Sequence, residues 1–183
     1  RAQIGVWYST PTRDYQDFSV GGQFGLYVTT KAPTADPDWW ASDPGDSALL
    51  KPHLGGWRGA AHALIELGLP FKPILDQGPG SRRDDLAGLS LVWLPSVAAL
   101  SDDSIAALRE FVKGGGVILA TDRMPAQLDE WGASRASNPL ADMFAFQRDP
   151  MTMQPRPSAA QYGAGQAIYR PDLSGSAVFG MVN

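Results

Sequence analysis

The sequence contains no cysteine. That excludes disulfides, a thiolate nucleophile, Cys-ligated zinc and iron–sulfur clusters. It leaves the compartment open, with the cytoplasm the favoured side. Histidine is nearly absent: His53 and His62 are the only two. A His-rich metal site or a Ser-His-Asp triad would have to use one of them, and His53 has no partner at metal-ligand spacing. Long apolar runs are missing too. Nothing approaches the roughly 18 residues that a membrane-spanning helix needs, and no signal peptide is visible. There is no basic surplus. Fifteen Lys and Arg against nineteen Asp and Glu give a net charge of −4, and the longest basic run is Arg82-Arg83. Nothing here carries the electrostatic footprint of a nucleic-acid binder. No cofactor, metal, nucleic acid or membrane is expected as a partner.

What is present is enough for one sizeable core. Hydrophobic residues make up 44% of 183 positions, and a chain of that length buries a large share of its surface. The chain opens at Arg1 without Met and stops at Asn183 straight after the apolar run AVFGMV. We expect a single domain over 1–183, cut from a longer, multidomain polypeptide.

Pattern reading places β-strands and helices in alternation. QIGVWYS (3–9) is rich in β-formers and reads as a first strand. Residues 10–46 are irregular; FGLYVTT (24–30) suits a short strand, and 32–47 reads as loop. Leu50, Leu54, Trp57, Ala61, Leu64 and Ile65 recur at helical spacing, which predicts a helix over 47–67 with Gly68 as its C-terminal cap. Gly55-Gly56 weakens its first turns, so its start is expected nearer Trp57. FKPIL (71–75) reads as an edge strand because of Pro73. LSLVWLP (89–95) and GVILAT (116–121) read as strands buried on both faces. Between them Ser101 is an N-cap, Asp102 and Asp103 suit the positive helix end, and Gly114 stops the helix. PLADMFAF (139–146) reads as a short helix with Pro at its first position. MTMQPRPSAAQ (151–161) reads as loop, and QAIYR (166–170) and SAVFGMV (176–182) as late strands. This order argues for an α/β layer with a mainly parallel sheet.

The stretch FVKGGGVILATDRM (111–124) invites a phosphate-loop reading. Phosphate loops run from strand through glycines into a helix, so that free N–H groups meet the anion. Here the order is reversed. The glycines lie at a helix C-terminus, where carbonyls and the negative dipole end would repel phosphate. The other end of the strand is more promising. In open α/β sheets ligands gather beyond the C-terminal strand ends. That rule selects Ser96, Thr121, Asp122 and Arg123 as a candidate ligand cleft, with Trp131 in the loop beyond it.

The stretch DDLAGLSLVWLPSVAALSDDSIAALREFVKGGGVILAT resembles the core of class I glutamine amidotransferase-like domains. More closely, it resembles the middle, trimerisation-type domain of family 42 β-galactosidases and related glycoside hydrolases. The residues that carry this are Asp85-Leu86, Leu91 to Pro95, Leu100-Ser101, Leu108-Arg109, Phe111-Val112 and the glycines. YGAGQAIYR (162–170) and QIGVWYS are similar to the late and opening strands of that family. The resemblance covers about two thirds of the chain and implies a flavodoxin-like three-layer sandwich. It also implies what is missing. In true amidotransferases the strand after the glycine corner ends in a catalytic Cys. Thr121 falls near that place, and the late His-x-Glu pair has no counterpart, because both histidines lie before residue 63. The expectation is a non-catalytic accessory domain that oligomerises or docks on its own catalytic domain.

Other groups keep two readings. Arg58, His62 and Glu66 share a helix face, either as a ligand face or as a salt-bridged surface. The run DPDWW places Asp36, Asp38, Trp39 and Trp40 on a polar loop, with Trp57 on the nearby helix. Such residues can stack on a sugar, anchor a protein interface or simply pack. Two alternatives to the accessory role stay open: a small-molecule or carbohydrate-binding module, and a hydrolase using Ser96, Asp122 and Arg123.

Overall fold

The structure, a computed structural model, describes residues 3–17, 52–80 and 83–173. The expected strands at 24–30 and 176–182, residues 47–51 and the DPDWW loop lie outside these residues; the helix expected to start nearer Trp57 is already formed at Pro52 despite Gly55-Gly56.

Strand β1 (Ile4–Ser9) runs into a helical turn (Thr10–Thr12) and a π turn (Arg13–Asp17). Helix α1 (Pro52–Glu66) leads to β2 (Phe71–Asp76). A short α2 (Arg83–Leu86), β3 (Leu91–Pro95), α3 (Asp102–Lys113) and β4 (Val117–Thr121) follow. Then come α4 (Ala141–Phe144), the two-residue strands β5 (Gln147–Arg148) and β6 (Pro155–Arg156), and the hairpin β7 (Ser158–Tyr162) to β8 (Gly165–Arg170). The main sheet has the order β2-β1-β3-β4-β8-β7. All its neighbours are parallel except β7, which pairs antiparallel with β8. The five parallel strands thus stand in the flavodoxin-like order.

Alternation along the strands builds two unequal cores. Val92, Leu94, Ile118, Ala120 and Ala167 point to one face and meet Ile105, Leu108 and Val112 of α3. On the opposite face Val6 meets Ala60 and Leu64 of α1, with Trp57, Phe71 and Trp93 partly buried around them. Pro73, which lacks an N–H to donate, sits on the edge strand as its chemistry requires. Ser101 caps α3 by accepting from Ser104 N–H.

Three departures from the sequence pattern have physical reasons. Helix α4 spans only four residues, because Ala145 takes a left-handed conformation (φ 49°) and ends it. Phe146 then turns back to stack on Phe144, ring centroids 5.0 Å apart. The segment 151–161 is not all loop: it holds β6 and most of β7. Its small residues Ala159 and Ala160 carry little hydrophobic signal, and the strand exists by pairing with β8. Last, Gly56 does more than weaken α1. A Cβ there would lie 3.3 Å from Ser96 Cβ, so the glycine lets the helix cross close over the end of β3.

Candidate functional site

The C-terminal ends of the strands form the pole where an α/β sheet places its ligands. At the β1/β3 switch point that space is filled by the protein's own polar side chains. Ser9 Oγ donates to Ala99 O at 2.9 Å, and Thr12 Oγ1 accepts from Ala99 N–H at 2.9 Å. His53, fully buried, bridges the two strands. Its Nε2 accepts the Ser9 N–H at 2.9 Å and its Nδ1–H donates to Pro95 O at 2.9 Å. The ring is therefore neutral, and burial pushes its pKa down to about 4. The Asp17 carboxylate caps the first turn of α1, accepting from His53 N–H (3.1 Å) and Leu54 N–H (2.9 Å). Nearby, the buried Asp76 accepts from Trp7 Nε1–H at 3.2 Å. The sequence offered no signal for this use of His53, because its partners come from strands 44 and 42 residues away.

The expected cleft residues divide. Ser96 and Asp122 come together: Ser96 Oγ donates to Asp122 Oδ2 at 2.7 Å. Both have positive φ, 50° and 63°, a conformation that non-glycine residues hold only where the surroundings enforce it. Thr121 is buried, and its Oγ1 accepts from Trp93 Nε1–H at 3.1 Å. Asp122 and Arg123 line an open cleft of about 490 Å³, while Ser96, Thr121 and Trp131 do not. Trp131 stands apart at the tip of a loop, 67% exposed. Trp57 sits edge-on to Tyr8, centroids 5.8 Å apart.

The rest of the cleft comes from residues the pattern reading passed over: Arg148, Gln154, Tyr169 and Asp172, with walls of Met124 and Pro155. Gln154 and Pro155 lie in the segment read as loop and Tyr169 in one read as a strand, and their convergence depends on β7 and β8 closing the sheet. Tyr169 O–H donates to Asp122 O at 2.9 Å. Burial, reinforced by the Asp122 charge, raises that phenol to about 12, so it stays protonated and holds the strand end in place. Asp172 is tied to Arg170 at 2.6 Å. Glycoside cleavage needs one carboxyl group as acid and a second as base or nucleophile, set across a cleft. In this cleft each carboxylate already has a fixed protein partner. Among the described residues, no group of three or more His, Asp or Glu is placed to hold a metal ion. No described helix is long and apolar enough to cross a membrane. On α1, His62 and Glu66 approach to 3.7 Å and Arg58 is exposed, as on a salt-bridged surface.

No family model matches the sequence, and no curated protein matches it. Solved structures do match. The GH42 β-galactosidase Gan42B of G. stearothermophilus aligns over 99% of this chain and 29% of its own, at 15% identity and TM-score 0.62. The β-galactosidase of Bacillus circulans sp. alkalophilus aligns over 99% and 30%, at 12% identity and TM-score 0.62. That of Rahnella sp. R3 aligns over 100% and 30%, at 14% identity and TM-score 0.58. The chain thus spans about 30% of the length of these enzymes and has the fold of that portion of a GH42 β-galactosidase.

Proposed function

We propose that this chain is a non-catalytic accessory domain of a β-galactosidase-like glycoside hydrolase. It serves oligomerisation or docking against the catalytic domain. One observation carries the reading: nearly all of this chain matches less than a third of each neighbour, and those neighbours are β-galactosidases. The state of the strand ends supports it. The polar groups that could do chemistry there, Ser96, Thr121, Asp122 and His53, are each engaged in a hydrogen bond of the fold.

The test is an activity and assembly assay on the 183-residue chain. Aryl-β-galactosides and glutamine are offered as substrates, and the mass in solution is followed by light scattering. The expected result is no turnover of either substrate, with assembly beyond the monomer or capture by a β-galactosidase catalytic domain. Turnover that disappears in Asp122→Asn would overturn the reading in favour of a hydrolase. The cleft supports a second reading, a module for a polar small molecule or carbohydrate, because guanidinium, amide and carboxylate groups converge on it. Saturable binding of galactose or mannose oligosaccharides, lost in Arg148→Ala, would favour that alternative.

A further inference from the structure

Aliphatic side chains gather in the open at one place, the turn from α1 into β2. Ile65, Leu67 and Leu69 are 64%, 70% and 43% exposed. Among the described residues, Leu75 is the only other exposed leucine or isoleucine. The turn is tightly built. Gly68 (φ 65°) closes α1 with the paired bonds of a Schellman cap: Leu69 N–H donates to Leu64 O at 2.8 Å and Gly68 N–H to Ile65 O at 2.9 Å. Capping accounts for the glycine, but not for the apolar residues on either side of it. A patch held out by an ordered backbone loses little entropy when a partner covers it. Exposed Glu66 and Lys72 give it a polar rim.

The position of the turn points to its partner. Phe71 pairs with Ile4 in the parallel ladder, so Pro70 and Gln3 precede them side by side at the N-terminal pole of the sheet. Gln3 O accepts from Ser90 N–H at 2.7 Å, which fixes where the chain enters β1. Any polypeptide ahead of residue 3 therefore emerges within about two strand spacings, ~10 Å, of the exposed leucines. The chain leaves β8 at the opposite pole, past Arg170. This chain spans only 29% and 30% of its structural neighbours, and its resemblance is to a middle domain, with polypeptide ahead of it. A domain tethered beside the turn acts at an effective concentration in the mM range, so a small apolar patch is enough to hold it. A second copy has no such tether.

Resting on the reading of this chain as an accessory domain, we propose that the turn at 65–69 is its docking surface for the catalytic domain that precedes it in the parent polypeptide. Photo-crosslinking of that polypeptide tests this, with Leu67→p-benzoylphenylalanine and, separately, Met151→p-benzoylphenylalanine. Met151 is also exposed but lies between β5 and β6. Irradiation should join position 67 to peptides ahead of Arg1 without changing the mass of the polypeptide, and position 151 should give little of that product. Leu67→Glu with Leu69→Glu should speed tryptic cleavage at the junction ahead of β1 by roughly tenfold or more, the scale of one hot-spot contact, because cleavage follows the undocked population. The melt of the 183-residue chain should not move, because both side chains are exposed. Crosslinks at twice the mass would put a second copy on the turn and overturn the proposal. Equal products from the two positions, or an unchanged cleavage rate, would overturn it as well. In each of these cases the accessory-domain reading stands if the parent turns over aryl-β-galactosides and the 183-residue chain does not. Turnover by the 183-residue chain would remove that reading instead.

Discussion

The two poles of the sheet are closed by different means. At the N-terminal pole of β4 the seal is backbone against backbone. Gly114 ends α3 by donating to Glu110 O and Val112 O, and Gly116 N–H returns to Phe111 O at 3.0 Å. Gly165 of β8 lies directly against Gly116 O and Val112 O. No side chain fits at Gly116 or Gly165. At the C-terminal pole the seal is made by side chains: Ser9 and Thr12 bind Ala99 in the loop after β3, His53 binds Ser9 and Pro95, Ser96 binds Asp122, and Thr121 binds Trp93. The difference teaches where function can evolve in this fold. A backbone seal leaves no room for a side chain at Gly116 and Gly165, whereas a pole of polar side chains can be re-aimed toward a ligand, a partner or its own stability.

The sharpest break of that contrast is at Gly165. A Cβ would overlap two backbone carbonyl oxygens that cannot swing aside, unlike the end of a flexible side chain. We expect Gly165→Val to destabilise by about 4 kcal/mol or more, above the usual range for overpacking. Gly165→Ala should lie below it in the same direction. Urea unfolding measures both; an unchanged midpoint for the valine variant would show that the corner yields more readily than its contacts say.

The corresponding probe of the other pole is pH. His53 is neutral in the fold, with its pKa pushed down to about 4 by burial, against about 6.5 when unfolded. Between those values the unfolded chain binds the extra proton, so stability falls as pH drops from 6.5 toward 4 and is level above 6.5. The full effect is on the order of 3 kcal/mol. Lowered carboxylate pKa values, such as that of Asp142 beside Arg109, act in a more acidic window. His53→Gln retains a donor for Pro95 O and an acceptor for Ser9 N–H, and should flatten the slope. A slope that persists in that variant would assign the effect to other groups.

The contrast between the poles also explains what could be read from the sequence. The backbone pole was legible, because helix end, glycines and apolar strand are contiguous in FVKGGGVILAT, and local rules of capping and periodicity decide their structure. The mainly parallel sheet followed from the same local elements, and its flavodoxin-like order from the family resemblance. The side-chain pole was only half legible. Its strand-end residues Ser96, Asp122 and Arg123 could be selected by the rule for α/β sheets. The cleft lining from Arg148 to Asp172 could not, since it depends on an antiparallel hairpin whose alanines carry no pattern. His53 was opaque for a related reason: a buried imidazole is defined by partners far along the chain.

Thr121 gives the smallest and most specific test of the comparison. It ends β4 near the place where the amidotransferase pattern would hold a nucleophile. Its hydroxyl accepts the Trp93 indole N–H at 3.1 Å and is almost wholly enclosed. Thr121→Val keeps the shape and removes the acceptor, leaving a partly buried donor unpaired. The expected loss is about 1 kcal/mol in urea unfolding, with the assembly state unchanged. Adding Trp93→Phe removes the stranded donor and should recover part of that loss, since deleting both partners of a buried hydrogen bond is milder than deleting one. If the threonine were instead placed for chemistry, the valine variant would leave stability intact and alter a reaction or a ligand affinity. The two outcomes separate on a single pair of measurements, and the hydrogen bond to Trp93 favours the first.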